Sequence, residues 1–413
     1  MTTAENGSHR PAGDSPRLAV RRLTLTDFRC YARLRLDTDS RPVVLFGANG
    51  AGKTNLLEAL SFLTPGRGMR RATLGDIARR DAAGPDDSSP DHGGTRADVA
   101  WAVAAVLDGP QGRVEIGTGR EVGSERRTVR IDGQPAKAQD LAAIASALWL
   151  TPAMDRLFIE GAAGRRRFLD RLVFGQDSGH AAQASAYEHA MRERSRLLKA
   201  AAQAGRRADP AWLSALEEAM ARHGAQMAAA RVRAVARLDE ACAQGLGPFP
   251  AARLELAGDA EAWAAASPAE VVEDRMRAAL RAARPRDEAA GTATFGPHRS
   301  DLMVRHAGKN LPAGQCSTGE QKAVLVSMVL AQARVRTRLT GLAPLMLLDE
   351  VVAHLDQTRR AALFDELAGL TAQSWMTGTD ELLFDGFGDR AQFFRVSDAA
   401  VLSRFQRDGD KKF

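Results

Sequence analysis

The stretch GANGAGKT at residues 47–54 fits G-x-x-x-x-G-K-[ST], a loop that wraps phosphate. The run PVVLF before it, residues 42–46, is apolar, β-branched and aromatic, and so predicts a buried strand. After it, NLLEALSFL at residues 55–63 sets Leu56, Leu60 and Leu63 on one helical face. Strand, glycine-rich turn and helix is the setting this pattern requires. Gly47, Ala48, Asn49, Gly50, Ala51 and Gly52 form a cradle that presents backbone N–H groups inward, at a helix N-terminus whose dipole favours an anion. Lys53 is expected to reach the β- and γ-phosphates of a nucleotide, and the Thr54 hydroxyl to ligate Mg²⁺.

A chain of 413 residues has room for two or three lobes. Its 57 Lys and Arg against 51 Asp and Glu give a net charge of +6, which permits a polyanionic partner without demanding one. The cysteines, Cys30, Cys242 and Cys316, are far apart and include no C-x-x-C, so neither a disulfide framework nor a zinc site is indicated. The longest apolar stretch, residues 141–154, is too short to cross a bilayer. Residues 1–17 lack the apolar core of a signal peptide and read as a disordered tail on a cytoplasmic protein.

Along the chain, residues 18–36 alternate like strands, and a basic loop, GRGMRR, occupies residues 66–71. Residues 81–95, rich in Asp, Gly, Ser and Pro, read as a flexible hairpin tip set within an antiparallel meander. From about Arg156 to Arg284 alanine and arginine dominate. Leu213, Leu216 and Met220, then Val235, Leu238 and Cys242, keep helical spacing, with breaks at 206–210 and 245–250. The expected organisation is α/β: a nucleotide lobe built from 18–155 and 291–413, and a compact helical lobe inserted at 156–290. That insertion is too short for long coiled-coil arms.

Two further segments suit the loop. LMLLDE puts Asp349 and Glu350 at the carboxyl end of a core strand, where Asp349 would hold the Mg²⁺ shell and Glu350 would orient the attacking water. Buried strands often end in acids, so this signal alone leaves both readings open. CSTGEQ at 316–321 opens a helix, and Ser317 with the Gly319 N–H forms a second anion site. Taken alone, the same residues read first as an ordinary capping box of Ser317 and Glu320.

The order of P-loop, helical insertion, S-x-G-x-Q, strand-Asp-Glu and then Leu355-Asp356 resembles the ATP-binding-cassette superfamily. The resemblance implies a head-to-tail dimer in which Ser317, Gly319 and Gln321 of one protomer cap the nucleotide of the other, with Asn49 and Asp356 at the contact. A membrane-transporter ATPase subunit is the alternative. Transporters usually carry a His after the strand that follows the acidic pair; WMTGTD stands there, with Thr377 or Thr379 in its place, and no Gln stands in LTPAMD at 150–155.

LTDFRCY at 25–31, GRRRFLD at 164–170, GPHRSDL at 296–302 and TGTD at 377–380 together resemble the RecF family of the SMC/Rad50-like branch, over nearly the whole chain. Met69 stands where that family favours an aromatic residue, and Ala353-His354 where it usually has Ser-Glu. The resemblance implies an ATP- and Mg²⁺-dependent, slow, DNA-stimulated ATPase that clamps DNA as an ATP-held homodimer. It would act with RecR and RecO at gaps and help RecA to load, in DNA repair, replication and the SOS response. Arg29 resembles a basic residue that reaches the nucleotide in this branch; a surface arginine is the equal alternative. Arg67, Arg70, Arg71, Arg165, Arg166, Arg167 and Arg299 are candidate contacts to duplex or gapped DNA through phosphate, each also readable as a solvated face. No run of base-stacking aromatics favours a single-strand platform.

Overall fold

The structure is a computed structural model. It describes residues 18–79, 99–109, 112–370 and 372–403, so the expected tail at 1–17 and the whole of the acidic 81–95 stretch lie outside the described residues. Its contacts divide the chain into two units. The first comprises Met1–Trp149, Leu342–Glu350 and Leu363–Phe413; the second comprises Leu150–Gly341 and Val351–Ala362.

The first unit opens with β1 (Ala19–Phe28) and β2 (Tyr31–Asp37), then β3 (Val43–Phe46), α1 (Lys53–Ser61) and α2 (Leu74–Ile77). The meander continues through β4 (Trp101–Gly109), β5 (Gly112–Arg120), β6 (Thr128–Ile131) and β7 (Gln134–Ala136), and β8 (Ala147–Leu150) follows. In β4, Trp101, Val103, Ala105 and Leu107 are buried while Ala102 and Ala104 are exposed, the period-2 pattern of a half-buried strand. The six meander strands form one antiparallel sheet in the order β2-β1-β4-β5-β6-β7. Phe28, Trp101 and Phe62 meet edge-on or tilted, with centroids 5.3–6.2 Å apart, and fasten the meander to the end of α1.

The second unit is built on α3 (Ala162–Gln176), α4 (His180–Gln203) and α5 (Pro210–Ala243). Helix α5 starts where the sequence breaks: Asp209 accepts from Ala211 N–H at 2.8 Å and Pro210 takes the first helical position. Then come β9 (Ala252–Ala257), α6 (Asp259–Ala266), α7 (Ala269–Ala282), α8 (Arg284–Ala290), β10 (Asp301–His306), β11 (Leu311–Pro312) and α9 (Thr318–Thr340). This unit is wider than the insertion expected at 156–290, because bonds tie the following segment into it. Strand β10 pairs along β9, Arg231 donates to Pro297 O at 2.7 Å, and Gln332 donates to Leu172 O at 2.9 Å.

Arginine here is also core material. Arg194 is fully buried and donates to Glu217 at 3.0 Å, Asp287 at 2.6 Å and Leu280 O at 2.8 Å. Arg194→Met leaves two buried carboxylates without it, so we expect a loss of about 3–5 kcal/mol. A urea midpoint followed by far-UV circular dichroism checks this; a midpoint equal to the parent's would refute it.

The chain returns to the first unit as β12 (Leu345–Leu348); α10 (Gln357–Gly369) begins in the second unit and passes into the first at Leu363, and β13 (Ser374–Gly378), β14 (Gln392–Ser397) and β15 (Ala400–Ser403) complete it. The central sheet runs β15-β14-β3-β13-β12-β8, with β12, β13, β3 and β14 parallel. Strands β12 and β13 are buried at every position, which explains their unbroken runs LMLL and SWMTG. The carboxyl ends of β3, β12 and β13 therefore lie side by side.

Candidate nucleotide site

The P-loop leaves β3 at Gly47, whose φ is +147°; a Cβ there would sit 2.1 Å from Val396 O on β14, so no side chain fits. Gly52, at φ +111°, faces the Tyr31 hydroxyl, 2.6 Å from where its Cβ would lie. The loop is thus pinned at both ends by first-unit backbone and side chain.

Lys53 is only 4% exposed and its ammonium donates to Gly47 O at 2.6 Å and Ala48 O at 2.8 Å. Burial lowers its pKa, while the Glu350 and Asp349 carboxylates push it back up. The charge stands inside the cradle, bonded to neutral carbonyls that an arriving phosphate oxygen can outcompete.

Asp349 follows the last residue of β12. Its Oδ1 accepts from Thr54 Oγ1 at 2.9 Å and from Thr377 Oγ1 at 2.7 Å, and Thr377 Oγ1 in turn accepts the Glu350 N–H at 2.9 Å. Thr377, on β13, is therefore a clip across both acids, whereas Thr379 is exposed. Glu350 is half-buried and has φ +54°, a left-handed conformation that costs a non-glycine residue about 1–2 kcal/mol. Such strain persists where neighbours over-determine the backbone, and the Thr377 bond is one such restraint. The clip could not be chosen from sequence, because either threonine of TGTD suits the spacing.

The Thr54 hydroxyl on α1 and the Asp349 carboxylate after β12, in contact with each other, form a hard-oxygen donor pair that could hold Mg²⁺. Among the described residues no group of three or more His, Cys, Asp or Glu could hold a metal. A Mg²⁺ that also takes phosphate oxygens and water needs none.

Arg29, for which a nucleotide contact and a surface position are equal expectations, is half-buried against α1. Its guanidinium grips Glu58 at 2.6 and 2.8 Å and donates to Asp76 O at 2.7 Å. Glu58 is fully buried on α1, where an unpaired carboxylate would be costly, and Arg70 also reaches it at 3.4 Å. Arg70 bonds Asn55 Oδ1 at 2.9 Å; Arg67 and Arg71 are exposed on the same loop, as Asn49 is on the P-loop.

In the second unit, Ser317 caps α9, and the capping box with Glu320 is formed. Gly319 faces open space. Gln321, expected as a nucleotide contact, is 6% exposed and donates to Cys316 O at 2.8 Å, bracing the serine's loop from behind. Asp356 accepts from Arg359 N–H at 2.8 Å and stays exposed.

Of the three consecutive arginines on α3, two serve internally. Arg165 grips Asp301 at 2.7 and 2.8 Å, and Arg166 donates to Ser300 O at 2.8 Å. Arg231 grips Asp170 at 2.8 and 2.9 Å. The runs GRRRFLD and GPHRSDL are thus two halves of one polar joint, which leaves Arg167 and Arg299 as the exposed cations of the two runs.

A P-loop beside a strand-borne Asp–Glu pair on a parallel sheet, interrupted by a helical unit that carries a serine-capped helix, is the plan of an ATP-binding-cassette-type ATPase head. The family model described as RecF/RecN/SMC N terminal domain matches residues 19–390. The DNA replication and repair protein RecF of Caulobacter vibrioides is 51% identical over 388 residues, 93% of this chain and 97% of that protein. The solved structure of the recombination mediator protein RecF-ATPrS in the RecFOR pathway has a TM-score of 0.80 at 19% identity, covering 95% of this chain and 99% of that one. A SmcHead bound to the C-winged helix domain of ScpA has a TM-score of 0.52 at 16% identity, covering 94% and 98%. The chain belongs to the RecF family.

Proposed function

We propose that this chain is an ATP-dependent DNA-binding protein of replication and recombinational gap repair, an ATPase used as a clamp. The observation that carries this reading is the convergence of Lys53, Thr54, Asp349, Glu350 and Thr377 at adjoining strand ends. Lys53 exchanges its two carbonyl partners for β- and γ-phosphate oxygens. Thr54 and Asp349 open their mutual hydrogen bond and hold the Mg²⁺ shell; when bound, Mg²⁺ neutralises charge developing on the transferred phosphoryl group. Glu350, held by the Thr377 clip, orients the hydrolytic water. The Ser317 hydroxyl and N–H and the Gly319 N–H of a second copy close the γ-phosphate cage. ATP then joins two protomers and hydrolysis releases them, slowly and faster on DNA.

The RecF relatives' names and the RecFOR pathway of the solved relative make RecR and RecO the partners to test first, with RecA loading as the downstream readout. Family membership weighs against the transporter-subunit alternative, and among the described residues no helix is long and apolar enough to cross a membrane.

Sedimentation with and without ATP, repeated on duplex, gapped and single-stranded DNA, tests the whole reading. A chain that stays monomeric under every condition overturns it. The exposed cations Arg67, Arg71, Arg167 and Arg299 make DNA binding a matter of phosphate contact. At about −0.9 in the logarithmic salt slope per contact, four contacts predict an affinity loss of about 100-fold between about 50 and 200 mM salt, with little sequence preference. A flat salt titration, or strong preference for one sequence, would show that these arginines are not the contacts.

A further inference from the structure

A phosphate brought to the head of α9 meets a carboxylate already seated there. Glu320 Oε2 accepts from the Ser317 N–H at 3.1 Å and from Ser317 Oγ at 3.0 Å. These are two of the donors that the composite-site reading gives to the γ-phosphate of a second copy. The other carboxylate oxygen lies 2.5 Å from Lys309 Nζ. Lys309 sits in the turn joining β10 to β11, and that turn is fixed. The Lys309 N–H donates to His306 Nδ1 at 3.3 Å, and Arg305 donates to Asn310 O at 2.6 Å. Hydrogen bonds from Lys309 and then from Ser317 hold the Glu320 carboxyl down at about 2, so it is ionised at any working pH.

Two anions cannot share the same donors. Either the carboxylate keeps Ser317 or it swings away, and Lys309 is the cation already bonded to its far oxygen. We propose that Lys309 is a positioning residue of the trans cap. It draws the Glu320 carboxylate off Ser317 when a second copy's γ-phosphate arrives, and it offsets the repulsion between the two anions. This rests on the composite-site reading above. Until the phosphate arrives, Glu320 stands in for it and keeps the cap occupied.

The test is ATP-dependent association, measured by sedimentation in a Glu350→Gln background that suppresses turnover. Lys309→Ala is expected to weaken association about tenfold, because the carboxylate loses its alternative partner and its neutralising charge. Lys309→Arg is expected to keep association near the parent value. Adding Glu320→Gln to Lys309→Ala should restore it to within about twofold, since a neutral amide oxygen still accepts the Ser317 N–H but does not repel phosphate. ATP binding to the dilute monomer and the thermal midpoint should be unmoved by Lys309→Ala, which separates positioning from a folding defect.

If the pair serves only to cap α9, the double variant associates more weakly than either single one, and the proposal is wrong. If Ser317→Arg abolishes association while Lys309→Ala leaves it unchanged, the proposal fails and the composite site stands. If Ser317→Arg associates as well as the parent, the composite site fails and takes the proposal with it.

Discussion

Glu350→Gln is expected to bind ATP as tightly as the parent chain, to hydrolyse it at least about 100-fold more slowly, and to persist as a dimer on DNA. The lower bound is the usual contribution of one positioned acid–base group. The substitution is nearly isosteric, and the atoms that fix this residue belong to the backbone: its N–H is held by Thr377 Oγ1 at 2.9 Å. Asp349 and Thr54 make their own contact and are not disturbed, so the proposed metal and phosphate ligands remain. What is lost is the negative oxygen proposed to orient and polarise water. Single-turnover hydrolysis and the lifetime of the DNA complex after an ATP chase measure the two halves separately. Hydrolysis at the parent rate would remove Glu350 from the role. Slow hydrolysis without longer-lived complexes would keep the role but break the link between turnover and release.

Much of the nucleotide unit is legible because its signals are local. A four-residue apolar strand, a glycine turn and a lysine at the following helix start lie within residues 43–54, and each constrains the next. LMLLDE works in the same way: four positions buried on both faces read as an unbroken apolar run, and the acids appear where burial stops. Arginine was the opposite case. Whether Arg165 faces solvent depends on Asp301, 136 residues away, and the role of Arg29 depends on a fully buried glutamate on the next helix. A basic run shows where cations are, while their counter-ions are set by tertiary pairing. The same cause widened the second unit, since β9 and β10 pair across three intervening helices that by pattern belong to the insertion. The Thr377 clip lay in between. The motif carrying it was visible, but choosing between two threonines needed the direction in which the last residues of β13 point.

The largest qualitative effect is expected from two inactive proteins mixed together. Lys53→Ala removes the ammonium that sits 2.6 Å from Gly47 O inside the P-loop, and Ser317→Arg puts a long cation where a small N-cap now stands. In a homogeneous preparation each lesion falls on both composite sites, so neither protein should associate with ATP. In a mixed pair the lesions segregate. One site receives the damaged P-loop and the damaged cap, and the other joins an intact P-loop to an intact cap. ATP-dependent association should therefore return in the mixture, with hydrolysis at the surviving site if one site can turn over alone. Cross-linking of differently tagged variants, with and without ATP, reads the outcome directly. An enzyme whose P-loop and serine act within one chain cannot give this result, because each protomer would carry its own lesion into any pairing. Ser317 also has an ordinary duty, accepting the Glu320 N–H at 3.4 Å, and that duty alone would let Ser317→Arg cost some helix stability while leaving association intact. Normal association of Ser317→Arg by itself would thus reduce the serine to a helix cap and return the P-loop to a single-chain site.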